Sequence, residues 1–123
     1  MCETMNNEVK LLLESYNRID SGTVSLTRCL ILSLLSYFVD GIQYRELKAA
    51  LKISDGKLIA NLNTLRETQY IDKFETEMDN SKIDIYILTE KGKSELNKII
   101  NWMELIKKVA KVEEKSCQVN LTK

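Results

Sequence analysis

Apolar residues recur at intervals of three and four along most of this chain, and at intervals of two in one stretch. From Tyr44 to Tyr70 the sequence YRELKAALKISDGKLIANLNTLRETQY divides into two short amphipathic segments. Leu47 and Leu51 mark the inward face of the first; Leu58, Leu62 and Leu65 mark that of the second. Such spacing places side chains on one face of a helix. Ile53-Ser54-Asp55-Gly56 separates the two. Ser54 is an N-cap candidate, because its hydroxyl can accept from a free backbone N–H further on. Asp55 falls in the first turn, where the helix dipole favours negative charge. Two helices across such a turn form a helix-turn-helix, with the second running to about Thr68. An ordinary helical hairpin in a small bundle fits the same periodicity.

The period then changes. Residues 70–77 alternate and carry β-branched and aromatic side chains, 78–82 are polar turn chemistry, and 83–88 form a second strand with Ile83, Ile85 and Ile87 on one face. This reads as a β-hairpin with a longer loop. Upstream, residues 3–19 predict a helix with Met5, Val9, Leu12, Tyr16 and Ile19 in a stripe that something must bury. Asp20-Ser21-Gly22-Thr23 stops it. A helix capped by Ser25 or Thr27 and running to about Val39 is apolar over much of its circumference, which places it at the centre of the domain. Asp40-Gly41 ends it, and Ile42-Gln43 can add a short third strand. Thr89 caps a last helix to about Lys115, with Leu96, Ile99, Met103, Ile106 and Ala110 in an apolar stripe. At 1.5 Å per residue it would be roughly 38 Å long, more than a small domain covers.

In order and spacing, Arg28-Cys29-Leu30-Ile31-Leu32-Ser33-Leu34-Leu35, Tyr44-x-x-Leu47, Ile53-Ser54-Asp55-Gly56-Lys57-Leu58, Leu62-x-x-Leu65, Tyr70-Ile71 and Leu88-Thr89-x-x-Gly92 resemble the winged-helix transcriptional regulators, in the compact branch related to the multiple-antibiotic-resistance-regulator (MarR-like) type. The resemblance covers residues 24–110. It implies a mainly α fold with a small antiparallel β wing. Residues 1–22 would be an N-terminal helix for packing or dimerisation, 23–89 the winged helix, 90–115 a C-terminal dimerisation helix and 116–123 a flexible tail. Two departures stand out. Arg45 or Glu46 sits where the family often caps the first helix with Ser or Thr, and Gln69 replaces a glycine common before the Tyr70 position.

Composition narrows the chemistry. A chain of 123 residues, 44% hydrophobic and 29% charged, suits one soluble domain. No apolar run is long enough to span a membrane, and the start is unlike a targeting peptide, so a cytoplasmic location is expected. Three cysteines at 2, 29 and 117 form neither a disulfide framework nor a metal pair; Cys29 reads as a small buried apolar residue. The absence of histidine removes the commonest general base and His-containing zinc sites. No glycine-rich phosphate loop occurs among four glycines. An enzyme is not expected, nor a cofactor or metal.

The remaining chemistry points to double-stranded DNA. Opposite its leucines the second helix shows Gly56, Ala60, Asn63, Thr64 and Glu67, flanked by Lys57 and Asn61. Lys57, Asn61, Asn63 and Thr64 suit base edges in a major groove. Arg45, Lys48 and Lys82 suit phosphates, with Ser54, Asn80 and Ser81 as further contacts. From Gln43 to Arg66 five cations face two anions, a net +3, within a chain of zero net charge. From Asp72 to Asp84 two cations face five anions, a net −3, where the family's wing is usually basic. A homodimer built on Val9, Leu12, Tyr16, Ile99, Trp102, Met103 and Ile106 would read an inverted repeat. Two alternatives stay open: a winged-helix module for protein–protein contact that does not bind DNA, with the acidic wing as its surface, and a regulator with a small-molecule effector pocket beside Tyr16, Trp102 and Met103.

Overall fold

Helix starts are set by side-chain caps. Asn6 accepts from the Val9 N–H at 3.0 Å, Ser25 from Arg28 at 3.1 Å, Ser54 from Lys57 at 3.1 Å and Thr89 from Gly92 at 2.9 Å. Each satisfies a backbone donor that the first helical turn leaves free. The computed structural model describes residues 6–20 and 25–112. The elements are α1 (Asn7–Arg18), α2 (Leu26–Tyr37), β1 (Ile42–Gln43), α3 (Tyr44–Leu51), α4 (Asp55–Glu67), β2 (Ile71–Met78), β3 (Ser81–Leu88) and α5 (Glu90–Val109). The expected Met5 position, most of the 20–23 turn and the tail from 116 lie outside the described residues.

One core unites the middle of the chain. Ile31, Leu32 and Leu35 of α2 meet Leu47 of α3, Leu58, Leu62 and Leu65 of α4, Ile71 and Tyr86 of the sheet, and Leu96 of α5. Fully burying each such side chain contributes about 1.5–3 kcal/mol. The sheet is antiparallel in the order β1-β3-β2, so the short third strand exists, with Ile42 opposite Tyr86.

Four expectations need correction. The hairpin loop is not long: Met78 pairs with Ser81, leaving only Asp79 and Asn80 between, at φ +53° and +65°. Two successive left-handed residues make the type I′ turn that matches strand twist, and Asp and Asn tolerate it. The last helix stops at Val109, because Ala110 is extended at φ −67°, ψ 135°. Its 20 residues give about 30 Å, without the surplus length the sequence suggested. Helix α2 is buried on one face only; Leu26 and Tyr37 are 89% and 79% exposed. The first helix-turn-helix element is capped at Gln43, whose N–H donates to Glu46 Oε1 at 3.0 Å, so neither Arg45 nor Glu46 is the cap residue.

Helix α1 has no buried residue and lies along α5, where the Tyr16 and Trp102 rings approach with centroids 6.3 Å apart. Its end is tied down by polar contacts. The Asp20 N–H donates to buried Glu95 at 2.8 Å, and the Tyr70 hydroxyl donates to Asp20 at 2.9 Å.

Helix α4 ends in a Schellman motif. The Tyr70 N–H reaches the Leu65 carbonyl and the Gln69 N–H the Arg66 carbonyl, both at 2.9 Å. Gln69 takes the left-handed position, at φ +67°, that glycine occupies most cheaply. The departure at this position therefore carries a cost. Gln69→Gly is expected to stabilise the fold by about 0.5–1 kcal/mol, the left-handed penalty less glycine's extra chain entropy. Urea denaturation measures it.

Candidate nucleic-acid interface

The two helices α3 and α4 are locked together by one carboxylate. Asp55, in the first turn of α4, accepts the Tyr44 O–H at 2.6 Å and lies 3.8 Å from the Lys48 ammonium. The Tyr44 phenol is pushed up to about 12, chiefly by that hydrogen bond. Its folded value is raised, so the stability it contributes is full below the ordinary value of about 10 and is lost as pH rises through about 12. Ultraviolet titration is expected to show a phenol ionising near pH 12 that Tyr44→Phe removes.

The leucine stripe turns the other face of α4 outward. Gly56, Lys57, Ala60 and Asn63 are exposed, and Thr64 is half-buried with its hydroxyl donating to the Ala60 carbonyl at 3.1 Å. Ser54 is exposed but already serves as the cap. Asn61 does not join this face. It is 9% exposed, accepts from Arg28 Nε at 2.8 Å and donates to the Lys57 carbonyl at 2.8 Å. Lying three residues after Leu58 and four before Leu65, it falls inside the buried stripe, so it is a strut between α2 and α4 and not a base contact.

The hairpin brings a second group near. Arg45, Ser81 and Lys82 border one groove of about 610 Å³ between the start of α3 and the far end of β3. Glu75, Asp79 and Asp84 line it too, so its field is mixed. Asn80 is exposed at the turn. Glu75 and Asp84 stand directly opposite each other, an unfavourable cross-strand pair relieved by Lys73, 3.8 Å from Asp84.

Sequence reasoning passed over three residues at this surface. Ile59 is 46% exposed on α4, and Arg66 and Lys52 are exposed cations at the ends of α4 and α3. Ile59, Asn63 and Arg66 follow one another at four and three residues, a helical spacing that was legible. Arg28 was legible as a lone cation opening an apolar helix, but its bond to Asn61 was not.

A family model described as a winged helix DNA-binding domain matches residues 27–106. The chain belongs to that family. The match spans all three parts of the site, so α3 and α4 are the helix-turn-helix of a winged helix and the hairpin is its wing. The winged helix is similar to MarR-type regulators in overall fold. An S. aureus MepR mutant bound to an oligodeoxyribonucleotide superposes with a TM-score of 0.63 at 13% identity, over 89% of this chain and 80% of that one. Bordetella bronchiseptica BpsR, whose DNA binding is regulated by 6-hydroxynicotinic acid, gives 0.59 at 16%, over 89% and 91%. The zinc-responsive MarR family member ZitR of Lactococcus lactis gives 0.53 at 20%, over 78% and 68%. No protein of curated function matches the sequence. Among the described residues, no group of three potential ligands converges on a metal site and no helix is long and apolar enough to cross a membrane.

The expected dimer residues divide. Ile99 is 1% exposed and belongs to the protomer's own interior, so it is not available to a partner. Val9, Leu12, Trp102 and Ile106 are half-buried on α1 and α5, which pack on each other. Tyr16 and Met103 remain exposed. Cys29 is half-buried, and burial pushes its thiol up.

Proposed function

We infer that the protein is a sequence-specific, double-stranded DNA-binding transcriptional regulator that acts as a homodimer. The observation that carries the reading is the outward face of α4. Lys57, Ala60 and Asn63 stand in solvent on a helix held rigidly by three buried leucines. Small Ala60 lets the helix backbone approach the groove floor. Asn can pair bidentately with adenine, and Lys with guanine or phosphate. Arg45 and Lys82 hold phosphates on either side of their shared groove, and Lys48 does so from α3. Phosphate contacts set position and affinity, whereas α4 sets sequence.

Dimerisation is supported by apolar surface on the α1–α5 pair. Leu11, Leu13, Tyr16, Ile100 and Met103 are each between 44% and 61% exposed. A second copy covering them would set two α4 helices in successive major grooves, with half-sites one helical turn apart or a multiple of it.

Selection from a random duplex pool at low salt tests the reading. Enrichment of a two-fold symmetric motif is the expected result, and its spacing gives the dimer geometry. Recovery without a motif would reduce the function to backbone binding, and no recovery would overturn it.

A further inference from the structure

Strand register decides which wing residues share a face. Ile42, Ile71, Tyr86 and Leu88 lie on the face that joins the core. Phe74, Met78, Ile83, Ile85 and Ile87 lie on the other, turned away from the helices, and none belongs to the core cluster. Phe74 and Met78 are 44% and 50% exposed. A sheet with one solvated face ordinarily alternates apolar-in and polar-out; β3 instead carries Ile83, Ile85 and Ile87 on its outer face.

This outer face continues onto the helical domain. Gly41, at φ +103°, crosses it so closely that a Cβ there would stand 2.5 Å from Ile85 Cγ2. Gly41 also lines a cleft of about 280 Å³ between α2, β1 and α3, with Phe38, Leu34 and Ala50 as apolar walls and Glu46 as its charged group. Tyr37 and Val39, beside Phe38, are 79% and 76% exposed.

Around the base of the wing the charge on this surface has one sign: Asp40 precedes Gly41, Glu46 lines the cleft and Asp72 stands opposite Ile87. At the tip the field is mixed, because Met78, Asp79 and Ile83 share the groove of Arg45 and Lys82. No Lys or Arg occupies an outward position of β2 or β3; Lys73 and Lys82 lie on the opposite face. Asp40, Asp72 and Asp79 enter no ion pair among the described residues.

We propose that the outer face of the wing and the adjoining cleft dock a cationic amphipathic segment of another protein. Its apolar side chains lie over Phe74 and Ile85 and enter the cleft beside Phe38. Its lysines or arginines meet Asp40, Glu46 and Asp72. The rim argues against the other occupants. A second copy would set acid against acid, and a DNA backbone or an anionic lipid surface would be repelled. The surface is separate from α4, so the proposal does not rest on DNA reading.

The test is a fluorescence-anisotropy titration of the full chain with a labelled synthetic peptide, leucines on one helical face and lysines on the other. Saturable micromolar binding is expected. Phe74→Ser with Met78→Ser, both at exposed sites, should weaken it about tenfold or more, as loss of central apolar anchors does. Asp40→Asn with Asp72→Asn, both at exposed sites, should weaken it about threefold to tenfold, with the larger loss at low salt. A peptide with glutamates for lysines should not bind. Equal binding of a scrambled peptide without an apolar face, or no loss in either double variant, would overturn the proposal. Sedimentation showing a dimer that the Phe74/Met78 variant dissociates would overturn it in favour of a second copy. Circular dichroism confirms that each variant is folded.

Discussion

Replacing Gly92 with alanine is expected to remove a large fraction of the protein's stability. Gly92 is buried in the first turn of α5, where its N–H donates to Thr89 Oγ1 at 2.9 Å. A Cβ there would overlap the Tyr70 carbonyl oxygen and stand 2.7 Å from Leu88 Cδ1 and 3.0 Å from the Tyr70 carbonyl carbon. Two of these three neighbours are backbone and cannot turn away. The Tyr70 carbonyl also accepts the Thr89 N–H at 3.1 Å, and Thr89 Oγ1 donates to the Gln69 carbonyl at 2.7 Å. Moving α5 outward therefore breaks both of these bonds between the start of α5 and the end of α4. Overpacking costs about 1–3 kcal/mol, and the lost hydrogen bonds add about 0.5–1.5 kcal/mol each. Against a typical total of about 5–15 kcal/mol this is a large fraction. Urea unfolding should show a midpoint shift far beyond that of Gly56→Ala, since a Cβ at Gly56 meets nothing within 4 Å. Equal effects of the two substitutions would sink this account.

That contrast shows what the sequence could and could not say. The spacing Leu88-Thr89-x-x-Gly92 marked the position, and Thr89 was legible as a cap. Why a glycine is needed was not legible, because the obstructing atoms belong to Tyr70, distant in sequence. The leucines at 47, 58, 62 and 65 were legible because helical period alone assigns their face, and all four are buried. The hairpin loop was misread because Asp79-Asn80 lacks the glycine that usually announces a two-residue turn; left-handed Asp and Asn do the same work. The end of α5 was misread because a continuing apolar pattern does not reveal where a backbone becomes extended. Asn61 was misplaced for a different reason. Its residue type suggested adenine, while its spacing from Leu58 and Leu65 already placed it inside.

The distinction between Asn61 and Asn63 gives the second large effect. Asn63→Ala is expected to cost about 1–3 kcal/mol of specific DNA binding, the worth of one bidentate base contact, and to relax preference at one base pair per half-site. Lys57→Ala should weaken binding across sequences and reduce its salt dependence if the ammonium meets a phosphate, or relax a guanine position if it meets a base. Both sites are exposed, so stability should move by no more than about 0.5 kcal/mol. Asn61→Ala should do the reverse. It removes the acceptor of Arg28 Nε and the donor to the Lys57 carbonyl, costing about 1–3 kcal/mol of folding stability. Its effect on DNA follows from a loosened α4 and should fall on every sequence alike. Electrophoretic or anisotropy titrations against a selected duplex and its single-base variants, paired with urea unfolding, separate the two. Unchanged base preference in Asn63→Ala would remove α4's outward face from the proposed reading. A preference altered by Asn61→Ala at a single position would mean that the strut between α2 and α4 itself sets which base is read.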